Sequence, residues 1–129
     1  MNEPHSPFKS KGGLKRLANA LRYSLQGLGA ALRHEAAFRQ ELALAVVLVP
    51  AALWLGSSAL ERAVLIAAIV FVLIVEILNS ALEAVADAVT LDHHPMIGRA
   101  KDLGSAAVML SIVLAIIVWL AAIVEKLPG

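Results

Sequence analysis

Between Glu41 and Glu61 the sequence LALAVVLVPAALWLGSSAL runs for 19 residues without a charge. After Arg62, AVLIAAIVFVLIV reaches Glu76 uncharged, and the segment continues in mixed form to Leu91. From Leu103 to Val124 another 22 residues carry no charge. About 20 apolar residues cross a bilayer core of about 30 Å. In lipid the backbone must satisfy its own hydrogen bonds, so such segments are helices. The pattern predicts three transmembrane helices, at about 40–57, 62–91 and 99–124. A tight 57–62 turn joins the first two, and a 92–98 turn punctuated by Pro95 and Gly98 joins the last two.

Ahead of the first span, Leu14, Leu17, Ala18, Leu21, Leu25, Leu28 and Leu32 recur at helical spacing. Lys15, Arg16, Arg22 and Arg33 share that segment. A basic amphipathic helix beside a membrane lies on its surface, its cations toward anionic headgroups, so 14–33 is predicted to be a surface helix. Packing of the same helix on the rest of the protein is compatible with this. Residues 1–13, rich in Pro, Ser and Gly, are expected to be a flexible tail. The residues before Leu42 are too polar for a secretory signal. The expectation is thus an all-α integral membrane domain over 14–129.

Composition removes the alternatives. Of the 129 residues 60% are hydrophobic and 16% charged, against roughly 45–50% and 25% in soluble domains. A small soluble monomer buries too little of its surface to hide so much apolar area. The absence of Cys excludes disulfides, Fe–S clusters and thiolate zinc sites, and a net charge of +1 gives no sign of a nucleic-acid partner. Charge placement also orients the chain. Lys9, Lys11, Lys15, Arg16, Arg22, Arg33 and Arg39 precede the first span, and Arg99 and Lys101 follow the second. Only Arg62 and Lys126 lie on the other side. By the positive-inside rule the N-terminus is expected in the cytoplasm and the C-terminus outside.

The second span carries Glu76, Asn79, Ser80, Glu83 and Asp87. At about 100° per residue these five share one helix face about 100° wide. Counting about 1.5 Å per residue from Ala63 puts Glu76 about 20 Å and Glu83 about 30 Å into the membrane, so Glu83 is expected at the inner interface with Glu76 below it. An ionised side chain at mid-bilayer costs at least about 2.5–3.5 kcal/mol, which makes this stripe a functional-site candidate; a polar seam between helices is the plainer role. His34, Glu35, Arg39, Gln40 and Glu41 before the first span, and Arg99, Lys101, Asp102 and Ser105 at the start of the third, reach the same level. Carboxylates in a hydrated pocket suit hard divalent cations, and Lys and Arg beside them suit phosphate. This inventory fits phosphoryl transfer at a membrane surface and fits a cation-coupled transporter nearly as well. Transporters of that kind usually show internal repeats and broken helices; no repeat is found here, and Pro50 is the only proline within a span. Neither a Walker A motif nor the kinase GxGxxG, HRD and DFG elements occur.

Three blocks carry a resemblance: HEAAFRQE (34–41), VEILNSALEAVAD (75–87) and GRAKDLGSAAV (98–108). Each resembles the corresponding block of the prokaryotic diacylglycerol kinases, and the similarity runs from about Arg16 to the end of the third span. It implies a small kinase of the bacterial inner membrane. A surface helix and three spans per chain would assemble as a homotrimer whose sites are shared between subunits. The implied reaction transfers a phosphoryl group from MgATP to diacylglycerol, giving phosphatidic acid. By that likeness Glu76 is the general base, and Glu35 and Glu83 hold the divalent cation, Mg²⁺, that bridges the ATP phosphates. Arg16, Tyr23, Asp92, His93, His94, Lys101 and Asp102 match ATP-binding positions, although of the connecting-loop residues only His94 agrees in type. Arg16, Arg39, Glu41, Trp54, Glu76 and Ser105 match the lipid site, and Asn79 matches a supporting position. On residue type alone, Trp54 also reads as an interfacial anchor, as do Trp119 and Tyr23. Undecaprenol kinases share these blocks, so a polyprenol acceptor is the alternative to a glycerolipid.

Overall fold

The computed structural model describes residues 12–129, an all-helical chain that divides into two units, one ending at His34 and one running from Glu35 to Gly129. Most of the tail expected over 1–13 lies outside the described residues. The first unit is α1 (Gly13–His34), which starts one residue earlier than the leucine pattern indicates. Gly12 precedes it at φ 106°, a conformation that favours glycine. Leu14, Leu17, Leu21 and Leu25 stand exposed along α1, and the Arg22 guanidinium lies 5.3 Å from the centre of the Tyr23 ring.

The second unit holds α2 (Ala36–Leu55), α3 (Ala59–Val89) and α4 (Pro95–Glu125), all long and apolar enough to cross a membrane. Each begins three or four residues before the hydropathy pattern indicates. Hydropathy marks where charges start, whereas Glu, Arg, Gln and Lys are good helix formers that continue a helix into polar territory. Pro95 opens α4 at its first turn, where a missing N–H costs nothing. The connection therefore ends at His94, and Gly98 lies inside the helix rather than in the turn. At about 1.5 Å per residue the 31-residue α3 and α4 are about 46 Å long. That exceeds the hydrocarbon core, so their polar ends reach past it.

α3 packs against both α2 and α4. Ala52, Leu65 and Ala122 are buried together, one from each helix, with Leu55, Ile66, Val118 and Trp119 around them. Small residues at such points let helices approach, the main source of packing energy when lipid is as apolar as the side chains. Trp119 differs from the interfacial anchor its type invites. It is half-buried, and its indole N–H donates to the Leu65 carbonyl across the α3–α4 seam at 3.1 Å. Trp54 is 86% exposed, as an anchor would be.

The Gly56–Ser58 end is tied by polar bonds. Ser58 caps α3 by accepting from the Glu61 N–H at 3.0 Å. The Arg62 Nε donates to the Leu53 carbonyl at 3.0 Å, and Lys126 donates to the Ser57 hydroxyl and sits 3.9 Å from Glu61. The two cations expected on this side are thus both engaged in closing it. Gly56 is buried, and a Cβ there would strike the Arg62 side chain and crowd the Ala52 carbonyl.

Candidate active site

The acidic stripe forms at the opposite end of the second unit, where α3 approaches the α3–α4 connection. Residues 76, 79, 80, 83 and 87 are spaced by three or four along one helix, so helical geometry aligns them. Tertiary packing then treats them differently. Glu76 is only 6% exposed, the one ionisable side chain among the described residues that is fully buried. Asn79, Ser80 and Glu83 are half-buried and Asp87 is exposed.

Three contacts organise the stripe. First, the carboxyl groups of Glu41 on α2 and Glu76 on α3 adjoin, and Glu41 Oε2 is buried without a hydrogen-bond partner. Second, Asn79 Nδ2 donates to Glu83 Oε1 at 3.3 Å, one turn along α3. Asn79 Oδ1, on the other arm of the amide, is buried without a partner. An acceptor left so costs roughly 1–3 kcal/mol. Third, Lys101 of α4 donates to Asp87 at 2.7 Å, and Glu83 lies near enough to act on the same ammonium group. The three blocks of sequence thus meet, α2 through Glu41, α3 through the stripe and α4 through Lys101.

The other candidates fall in several places. Glu35 is the half-buried extended residue immediately before α2, its side chain making no capping bond. Arg39, Asp102 and Ser105 are exposed. Asp92, His93 and His94 lie exposed in the connection; the Asp92 N–H donates to Thr90 Oγ1 at 3.0 Å, and His94 Nδ1 accepts from the Met96 N–H at 3.2 Å, capping α4. Trp54, thirteen residues beyond Glu41 on α2, is about 20 Å away along the helix, so one chain does not bring it to the stripe. Arg16 and Tyr23 belong to α1, the other unit.

Among the described residues no three His, Asp or Glu side chains cluster as a metal cage. The donors at the stripe are all oxygen, which suits a hard cation. Mg²⁺ keeps most of its waters and takes only one or two carboxylates beside substrate phosphates. Glu83, with one oxygen held by Asn79, fits that requirement.

Two features escape a reading of the chain in one dimension. A groove of about 300 Å³ runs between α2, α3 and α4 from Glu41, past Leu48, Ile69 and Ile112, to Trp119. Gly104 of α4 is buried against the Asn79 amide. A lone glycine within a helix pattern is the sequence signal for such a close approach.

The chain matches the prokaryotic diacylglycerol kinase family over residues 22–123. It is 52% identical to the diacylglycerol kinase of Pseudomonas aeruginosa over 114 residues, covering 88% of this chain and 93% of that protein. It is 49% identical to the Escherichia coli K12 diacylglycerol kinase over 107 residues, 83% of this chain and 88% of the other. With a Helicobacter pylori diacylglycerol kinase the identity is 36% over 119 residues, 92% of each chain.

Proposed function

Because the chain belongs to the prokaryotic diacylglycerol kinase family and is therefore a lipid kinase, we propose that it phosphorylates diacylglycerol with ATP, using Glu76 as general base. The burial of Glu76 beside Glu41, at the head of an apolar groove, is the observation that carries this assignment. A diacylglycerol holds its hydroxyl at the headgroup boundary and its tails below. Glu76 accepts the hydroxyl proton as the hydroxyl oxygen bonds to the γ-phosphorus. The bond from that phosphorus to the β–γ bridging oxygen breaks, and phosphatidic acid and ADP result. Glu41 lines both the groove and the catalytic carboxyl, so it faces the glycerol headgroup. Glu35 and Glu83 hold Mg²⁺, which when bound neutralises charge on the phosphates. Lys101, paired to Asp87, presents a cation for the nucleotide, with Arg16, Tyr23, Asp102 and the Asp92–His94 connection contributing around it.

The reaction belongs at the cytoplasmic face of the inner membrane, where the positive-inside pattern puts the stripe and where ATP is available. α1 lies on that surface, with its leucines in the acyl boundary. The assembly is a homotrimer with sites shared between chains. One chain leaves Asn79 and Glu83 only half-buried, whereas polar groups at membrane depth face a bundle interior or a wet cavity, and Trp54 lies about 20 Å along α2 from Glu41.

The acceptor is tested with purified protein in mixed micelles, by following ATP consumption with diacylglycerol, with undecaprenol and with neither. Turnover is expected with diacylglycerol; a preference for the polyprenol would reassign the acceptor, and equal consumption without lipid would reject lipid kinase activity. Site sharing is tested by mixing two inactive variants, Glu76→Gln and Glu35→Gln, under conditions that exchange subunits. About one site in four then combines two intact contributions in a closed symmetric assembly, and activity returns. If demonstrated exchange restores nothing for this or any other pair of inactive site variants, each site is built within one chain.

A further inference from the structure

The Asn79 amide stands between Glu83 and α4. Its NH₂ arm donates to Glu83 Oε1 and its oxygen is turned the other way. The other way is toward α4, where the residue is Gly104. A Cβ built at Gly104 would overlap Asn79 Oδ1 outright and crowd its Cγ, whereas its next neighbour, the Leu82 side chain, is at an ordinary 3.8 Å. Nothing else near Gly104 demands a glycine, and a glycine inside a helix is itself unfavourable relative to alanine.

We infer that Gly104 is a positioning residue for the kinase reaction. Its missing side chain makes the space in which the Asn79 amide stands between α3 and α4, and the amide standing there holds the Glu83 carboxylate. Any larger residue at 104 forces the end of the Asn79 side chain to swing. The swing breaks the contact with Glu83, so the damage appears at Glu83 rather than as a general loosening of the helices. The Glu83 part of this chain rests on the assignment of Glu83 to the cation; the Gly104–Asn79 part does not.

The test is a cycle of Gly104→Ala, Asn79→Ala and the double variant, all in the assembled protein. Partners that orient metal-binding side chains typically change affinity or activity about 10–100-fold when removed. Gly104→Ala is therefore expected to lower kcat/KM by about tenfold or more. It should raise the half-saturating Mg²⁺ concentration, and weaken Mn²⁺ binding read by paramagnetic resonance with a non-hydrolysable ATP analogue. In the Asn79→Ala background, where no amide remains to be displaced, adding Gly104→Ala is expected to lower kcat/KM no further and to raise thermal stability. A Gly104→Ala variant that fails to assemble while the double variant assembles supports the same overlap. Equal loss from Gly104→Ala in both backgrounds, failure of both to assemble, or wild-type activity of the single variant would each overturn the inference. If the cycle shows the coupling in kcat/KM while metal binding stays unchanged in Gly104→Ala and Glu83→Gln alike, Gly104 positions Asn79 but Glu83 is not a cation ligand.

Discussion

Glu76→Gln is expected to abolish phosphoryl transfer while leaving assembly and MgATP binding in place. Gln is nearly the same size and keeps an oxygen for hydrogen bonding, so the packing around this buried position changes little. It cannot take a proton. General-base catalysis contributes roughly 10²–10⁴-fold, so residual turnover should fall to about a per cent or below. The substitution keeps a hydrogen-bonding group beside the Glu41 carboxyl, and stability should change little. That combination separates a catalytic group from a structural one. A structural acid in a packed seam, replaced by its amide, would alter melting and spare turnover. The measurement is single-turnover transfer from labelled ATP, beside a melting curve and a nucleotide-binding isotherm. Retention of more than a few per cent of wild-type turnover would falsify the general-base role.

Glu83→Gln and Glu35→Gln should each raise the Mg²⁺ requirement sharply and lower turnover. The two side chains come from different elements, one on the outermost polar turns of α3 and one before α2. Each supplies a negative oxygen that hard cations prefer over a neutral amide. Glu83 should show the larger shift, because Asn79 holds its carboxyl group in place at 3.3 Å, whereas the Glu35 side chain makes no capping bond. Activity titrated with Mg²⁺ at fixed ATP decides the matter: an unchanged half-saturation point in both variants makes these acids structural.

Hydropathy alone determined that this chain belongs in a membrane, the number of long apolar helices and the identity of Glu76 as the residue to explain. Each follows from a large one-dimensional signal. Charge-free runs of 19 and 22 residues exceed what a small soluble core can bury, and an acid set among Val, Ile and Leu is costly enough to be noticed in isolation. The common face of residues 76, 79, 80, 83 and 87 was legible too, since helical spacing alone sets it. Helix ends were not legible to the residue. Charge shows where lipid ends, but α2 and α4 continue through polar helix formers, and Pro95 reads as a turn until its position in the first turn of α4 is seen. Everything that depends on which side chain meets which needed the packing of α3 between α2 and α4. Glu41 lies thirty-five residues before Glu76, and no pattern along the chain joins them. Trp119 reads as an interfacial ring until its N–H is found on the Leu65 carbonyl, and Gly104 reads as a weak spot in a helix until the Asn79 amide is found against it. The physical reason is the same throughout. Burial, periodicity and charge are properties of one segment and its solvent, whereas contacts are properties of two segments, fixed only by the register in which small residues such as Ala52 and Ala122 let the helices close on Leu65.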